Sequence, residues 1–226
     1  TYYAHTSPEA WSNLLYAGWK GAKMHITSAF PIVTESAQRV TGRGKMRLDT
    51  SIVVVWRNGV EGAARIGEQS FRLKVIESAR NKALSLLKLS KHQDYALRGR
   101  DILIGTMGAV LAELTKYEDI RDARGSITVK DLTEKYVFPM TVEGMFQALA
   151  EYYREGVRFI NIEDGISRYY MLLKAFFGAT ANGGRFERLK VSPNELIMLK
   201  LATGVDASTL IRPRRPSPNT TYLFRK

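Results

Sequence analysis

The chain has no cysteine, which excludes a disulfide framework and any thiolate metal site. Histidine is nearly as scarce. His5, His25 and His92 are the only three in 226 residues, so a histidine zinc cage is not expected and no metal is assigned. Long apolar runs are missing too. The stretch from Ile102 to Leu114 contains glycines and ends in charge, well short of the roughly 20 apolar residues that span a bilayer. No membrane partner and a cytoplasmic location are the expectations. Among catalytic signatures there is no glycine-rich phosphate loop, no G-x-S-x-G elbow and no H-E-x-x-H. No catalytic residue is therefore assigned to this chain.

Positive charge is what the chain has in excess. Its 34 Lys and Arg against 22 Asp and Glu leave a formal net charge of +12. Such a field attracts polyanions from a distance, and nucleic acid is their commonest form.

Ser7-Pro8-Glu9 reads as a helix start: serine caps the first amides, proline is tolerated at the first helical position, and glutamate suits the positive end. Ala10, Leu14, Leu15, Ala17 and Gly18, filled out by Trp11 and Trp19, predict a helix as far as Gly21. Lys23 to Val33 alternates and then turns apolar, while Ser51 to Trp56 is a β-branched run of the kind buried on both faces of a sheet. After the glycine-rich stretch from Asn58 to Gly67 the pattern becomes helical. Helices are expected over Glu68 to Leu89, Gly99 to Lys116, from a capped start at Ile127 to Asp131, over Thr141 to Tyr153, Asp164 to Phe177, and Ser192 to about Ala202. Gly105, Gly108, Ala109 and Ala112 leave room for another element to approach the second of these. The prolines between Arg212 and Pro218 exclude a helix and predict an extended basic arm or loop before the strand-like Thr221 to Phe224. The expected division is 1–60, strands and a helix, and 61–226, a mainly helical extension with a basic arm.

In an open α/β sheet, ligands bind beyond the carboxyl ends of the parallel strands. If Tyr2 to Ala4 and Lys23 to Ile32 are parallel and joined by the helix between them, His5 and the loop from Val33 to Thr50 share that side. Ser51 to Arg57 then returns antiparallel. The loop carries Arg39, Arg43, Lys45 and Arg47, candidates for phosphate contact. Phe30-Pro31 stands where a flat ring can stack on an extruded base, which enzymes acting on bases in duplex DNA require. Each of these has a plainer reading. The loop serves equally as a solvated connection, Phe30 as a core aromatic, Glu35 as a partner of Arg39 at helical spacing, and His5 as a structural histidine. Arg212, Arg214 and Arg215, held extended by prolines, are further phosphate candidates or part of a disordered tail. The aromatic pairs Tyr152-Tyr153, Tyr169-Tyr170 and Phe176-Phe177, among Arg154, Arg158, Arg168 and Lys174, read as helix core with a charged rim rather than a single-strand clamp.

One pattern runs without insertion through Tyr3-Ala4-His5, Trp11, Phe30-Pro31-Ile32-Val33-Thr34-Glu35, Arg39, Arg43 and Ser51-Ile52-Val53-Val54-Val55-Trp56-Arg57. In it the chain resembles the latter part of adenine-specific DNA methylases. There a Tyr-Ala-His strand end leads to a helix with a tryptophan, then Trp-Pro-Ile-x-Thr-Glu, a basic loop and Ser-Ser-Ile-x-x-Val-x-Arg. The likeness continues more loosely through Arg100 to Leu111, Tyr117 and Ile127 to Lys130, and thins after that. It implies the end of a class I methyltransferase, Rossmann-like α/β sheet with an antiparallel last strand, followed by a mainly α-helical extension. It also implies transfer of a methyl group from S-adenosylmethionine to the exocyclic nitrogen of adenine. The cofactor motif and the catalytic Asp-Pro-Pro-Tyr of such proteins precede the matching part. Cofactor binding mainly outside this chain, and a catalytic N-terminal half or subunit as partner beside DNA, are the corresponding expectations. Phe30, Pro31, Thr34, Glu35 and His5 become the expected base pocket, with Phe30 in place of the usual tryptophan. Lys45 to Asp49 replaces a small-residue run, making the loop more basic. The alternative of a different class is a non-catalytic helical interaction or nucleic-acid-binding module.

Overall fold

Pro8 opens the first helix, as its tolerance of a missing N–H allows. Helix α1 (Pro8–Leu15) buries Trp11 and Leu15 and continues into a π-helical turn, Tyr16–Gly21, which buries Trp19. The computed structural model describes residues 8–33, 50–59, 65–90, 97, 99–152, 164–177, 180–181, 186–189, 200, 204–205, 211–213 and 222–225. The expected Ser7 cap, the strand from Tyr2 to Ala4 and most of the helix from Ser192 lie outside them.

Strands β1 (Met24–Val33) and β2 (Thr50–Asn58) form an antiparallel pair. A second, small sheet joins β3 (Arg65–Gly67) in parallel to β4 (Asp119–Asp122), which pairs antiparallel with β5 (Gly125–Ser126). Between its strands run α2 (Glu68–Ser90) and α3 (Gly99–Thr115). On α2 the expected apolar face is the observed one, with Phe71, Val75, Ala79, Ala83, Leu86 and Leu87 buried. Helix α3 is central: it touches α2, the β1–β2 pair and two later helices, and every residue from Asp101 to Gly108 is buried. A helix apolar on all sides needs such surroundings.

The next helical run corrects the sequence reading. Helix α4 (Val129–Leu132), a π-helical turn (Thr133–Val137) and α5 (Phe138–Tyr152) follow one another without a break, where two separate helices are expected. Thr128 caps the start, accepting from the Asp131 amide at 3.1 Å and donating to the Asp131 carboxylate at 2.7 Å. Thr141, the expected second start, lies within α5 and donates to the Val137 carbonyl at 2.7 Å. Pro139 does not end the run: the wider π turn ahead of it relieves the collision its ring would otherwise make with the preceding carbonyl. Asp164 caps α6 (Gly165–Phe177), accepting from the Ser167 amide at 2.7 Å, and hydrogen bonds from the Ser167 side chain and amide hold its carboxyl below the usual range.

Within the expected helical extension, the last described part is a sheet. Strands β6 (Thr180–Ala181), β7 (Phe186–Leu189), β8 (Ile211–Pro213) and β9 (Tyr222–Arg225) are ordered β6-β7-β9-β8, all antiparallel. The chain is thus mixed α/β with small sheets. One hydrophobic cluster takes in Trp11, Trp19, Ile26 and Ile52 together with α2, α3, α5 and α6. Among the described residues no helix is long and apolar enough to cross a membrane.

Tyr136 ties the π turn to α2. Its ring lies 5.8 Å from that of Phe71 and its hydroxyl donates to Glu68 Oε1 at 2.7 Å. Burial, then the nearby carboxylate, pushes its pKa up to about 12 from 10.0. The folded chain holds this proton to higher pH than the unfolded chain, so the contribution is whole below pH 10 and is lost toward pH 12. The stability difference between the wild type and Tyr136→Phe, measured by urea unfolding, should be constant below the lower value. Above it the difference should shrink by roughly 1.4 kcal/mol per pH unit. Parallel curves across the window would remove this assignment.

Candidate nucleic-acid interface

The β1–β2 pair runs from Met24 opposite Asn58 to Val33 opposite Thr50, with one register shift between Ile26 and Ser28, so residues 34–49 connect the strands at the Phe30 end. The strand from Ser51 to Arg57 thus returns antiparallel to β1, as the sheet reading requires. Ile26 and Ala29 on β1 and Ile52 on β2 are buried, with Val54 and Trp56 half-buried against the same core. Helix α3 crosses the pair closely at Gly108. A methyl group placed there would stand 2.5 Å from Ala29 Cβ and 3.4 Å from Ile52 Cδ1. The small residues of α3 thus admit β1, as their pattern suggests.

The other face of the pair is different. Phe30 is 49% exposed, Val55 is 39% exposed, and Arg57, two residues beyond Val55, is exposed. The expected burial of Ser51 to Trp56 on both faces therefore does not hold: α3 packs on one face, and Val55 points away from it. Nor is Phe30 a core aromatic. Pro31 stands opposite Ile52 in the register, next to Phe30 opposite Val53. His5, Thr34, Glu35, Arg39, Arg43, Lys45 and Arg47 lie outside the described residues, as do Arg214 and Arg215. Arg212 does not belong to a free arm. It is the middle residue of β8, opposite Leu223, on the edge strand of the last sheet, and Pro213 follows at such an edge as a residue without an N–H must.

A polar cluster at the carboxyl end of α3 has no counterpart in the sequence reading. Buried Glu113 accepts from Lys116 Nζ at 2.7 Å and from the Tyr117 hydroxyl at 3.1 Å. Lys74 of α2 donates to that hydroxyl at 3.2 Å, a bond that raises the lysine's pKa. Thr115, fully buried, accepts from the Ile26 amide at 2.8 Å and donates to the Leu111 carbonyl at 3.0 Å. The Tyr117 carbonyl accepts from Trp19 Nε1 at 2.7 Å. The signal in the sequence is a single carboxylate at the end of an apolar helix, with a lysine and a tyrosine three and four residues on. Beside it lies an open groove of about 230 Å³ whose walls include Ser28, Ser78, Lys82, Ala109, Glu113 and Lys116. Hydroxyl and ammonium donors and one carboxylate acceptor face it.

Elsewhere the plainer readings stand. Tyr169 is fully buried, and Tyr152 and Tyr170 pack half-buried against the core. Arg168 pairs with Glu143 and lies 4.6 Å over the Phe146 ring, so its charge is used within the chain. Among the described residues no group of three or more His, Asp or Glu stands close enough to hold a metal ion. Comparison with protein families, with curated proteins and with solved structures finds no match for this chain.

Proposed function

We propose that this chain is the carboxyl-terminal portion of an S-adenosylmethionine-dependent, adenine-specific DNA methyltransferase, where it contributes DNA binding and part of the target-base pocket. The observation that carries the reading is Phe30: an aromatic ring half exposed on a strand, four positions before a loop rich in cations. The antiparallel return of β2 suits the last strand of a Rossmann-like methyltransferase sheet. The net charge of +12 suits a polyanionic partner. Phe30 would lie against the adenine, with Pro31, Thr34, Glu35 and His5 around it, while Arg39, Arg43, Lys45 and Arg47 hold phosphates. The sequence has no glycine-rich strand-to-helix turn of the kind that cradles such a cofactor. The methyl donor and the catalytic residues therefore fall to a part of the enzyme outside this chain, and none of its residues is assigned to them.

Duplex-DNA binding measured over a range of salt tests the reading, with Arg39, Arg43, Lys45 and Arg47 all changed to Ala. Affinity should fall, and the log–log salt slope should become shallower by about 0.9 for each phosphate no longer neutralised. Undiminished affinity with an unchanged slope would sink the assignment and favour a helical interaction module.

A further inference from the structure

Successive residues of a strand point to opposite faces, so positions 26, 28 and 30 of an uninterrupted β1 would share one face. Ile26 is 1% exposed, and unbroken alternation would bury Phe30 with it. The register breaks instead. Ile26 stands opposite Trp56 and Ser28 opposite Val55, which leaves Thr27 as an extra residue. Beyond this bulge the phase is inverted. Ala29 turns inward, where Gly108 leaves room only for a methyl group, and Phe30 turns outward. Thr115 holds the strand at the break: its hydroxyl oxygen accepts from the Ile26 amide while its proton is donated to the Leu111 carbonyl. Bulges re-aim side chains in this way beside functional sites.

We propose that the bulge at Thr27, pinned by the Thr115 hydroxyl, turns the Phe30 ring out of the core to serve as a stacking platform for an unpaired nucleobase. Thr115 is then a positioning residue. The choice of a nucleobase rests on the DNA reading above; the positioning does not. A planar π-faced ligand is what an exposed ring on a rigid strand can hold, and stacking tolerates any base.

The test uses the full chain carrying Phe30→Trp. Of its natural tryptophans, Trp11 and Trp19 are buried and Trp56 is half-buried, so the indole at position 30 should dominate quenching by acrylamide. Adding Thr115→Val should make Ile26 amide exchange about tenfold faster. It should also cut the acrylamide accessibility of that indole to about half as the phase of the strand is released. Thr115→Ser should restore both. Faster exchange with unchanged accessibility would overturn the positioning role. If Thr115→Val does not fold, deleting Thr27 serves instead. An indole that stays fully accessible after this deletion shows that the bulge does not turn it. A short single-stranded oligodeoxyadenylate should quench the position-30 indole on binding. Binding without quenching, or no binding by a chain that still binds duplex DNA, overturns the stacking platform; no binding to either form removes the DNA reading and leaves the acrylamide result to decide the positioning.

Discussion

Gly144→Leu should leave the protein unable to form its core, and even Gly144→Ala should destabilise it, although alanine is the better helix former. Gly144 lies on α5 where that helix crosses α2. A methyl group there would stand 2.8 Å from the Ala79 carbonyl carbon and 2.8 Å from the Arg80 amide nitrogen, and would also collide with Ala79 Cβ. These are mainly backbone atoms. They cannot swing aside, so the two helices, which pack closely and bury Val75 and Ala83 on α2 and Met145 and Leu149 on α5, must separate. Removing a mid-helix glycine gains about 1 kcal/mol. Overpacking of a rigid site costs about 1 to 3 kcal/mol, and backbone neighbours place this one at the upper end. The expected net loss for Gly144→Ala is about 2 kcal/mol by urea unfolding. For leucine, three further carbon atoms meet the same wall. Two other glycines calibrate the experiment. At Gly18 the obstructing atoms are the far edge of the Trp56 ring, which can rotate, so alanine there should cost less. At Gly67 nothing lies within 4 Å, so alanine should be neutral or slightly stabilising. A Gly144→Ala protein as stable as the wild type would mean that α2 and α5 do not meet this closely.

The close crossings are only half legible in the sequence. Gly105, Gly108, Ala109 and Ala112 announce that α3 admits a neighbour, because four small residues on one apolar helix have little other use. Gly144 is followed one turn on by Ala148, and a single such pair is too short a stripe to announce a crossing. Apolar spacing reveals α2, the length of its apolar run reveals α3, and Asp164 marks the start of α6 through its cap. The passage through Pro139 is not readable, since a proline in a helical pattern ordinarily marks an end and only the π turn before it permits continuation. The pairing of β3 with β4 is hidden for another reason. Short strands separated by two helices carry no alternation long enough to detect; β6, β7 and β8 are too short to show one either, whereas the strand-like Thr221 to Phe224 does announce β9. The candidate site shows the sharpest limit. Phe30 stands out in the sequence as a ring, but the pattern of β1 leaves open whether it faces the core or an extruded base. A bulge is a count of backbone residues between two strands, and that count appears only once the partner is in place. The interactions at the end of α3 are hidden likewise, because the Thr115 and Trp19 side chains meet main-chain groups that no side-chain pattern records.

Trp19→Ala should be the most damaging truncation in the described core, costing about 4 kcal/mol. The indole is 1% exposed and fills the space between the π turn Tyr16–Gly21 and the end of α3. Its loss leaves a cavity and strips the Tyr117 carbonyl of the Nε1 donor at 2.7 Å. Lys20 is affected too. Its ammonium lies 3.6 Å from the Trp19 ring centre and donates to the Glu118 carbonyl, and burial lowers its pKa. Trp19→Phe separates the contributions: most of the packing survives while the hydrogen bond goes, and an unsatisfied buried carbonyl costs about 1 to 3 kcal/mol. Guanidinium unfolding of the two variants should therefore rank phenylalanine well above alanine. The consequence should reach β1. Thr115 and Tyr117 belong to one turn of chain, so the carbonyl that receives Trp19 and the hydroxyl that receives the Ile26 amide are held by the same local geometry. If that turn is a rigid unit, Trp19→Phe should speed exchange of the Ile26 amide although Trp19 makes no bond to it. Unchanged protection at Ile26 would show that the bulge, and with it the outward aim of Phe30, is fixed by α3 independently of the π turn.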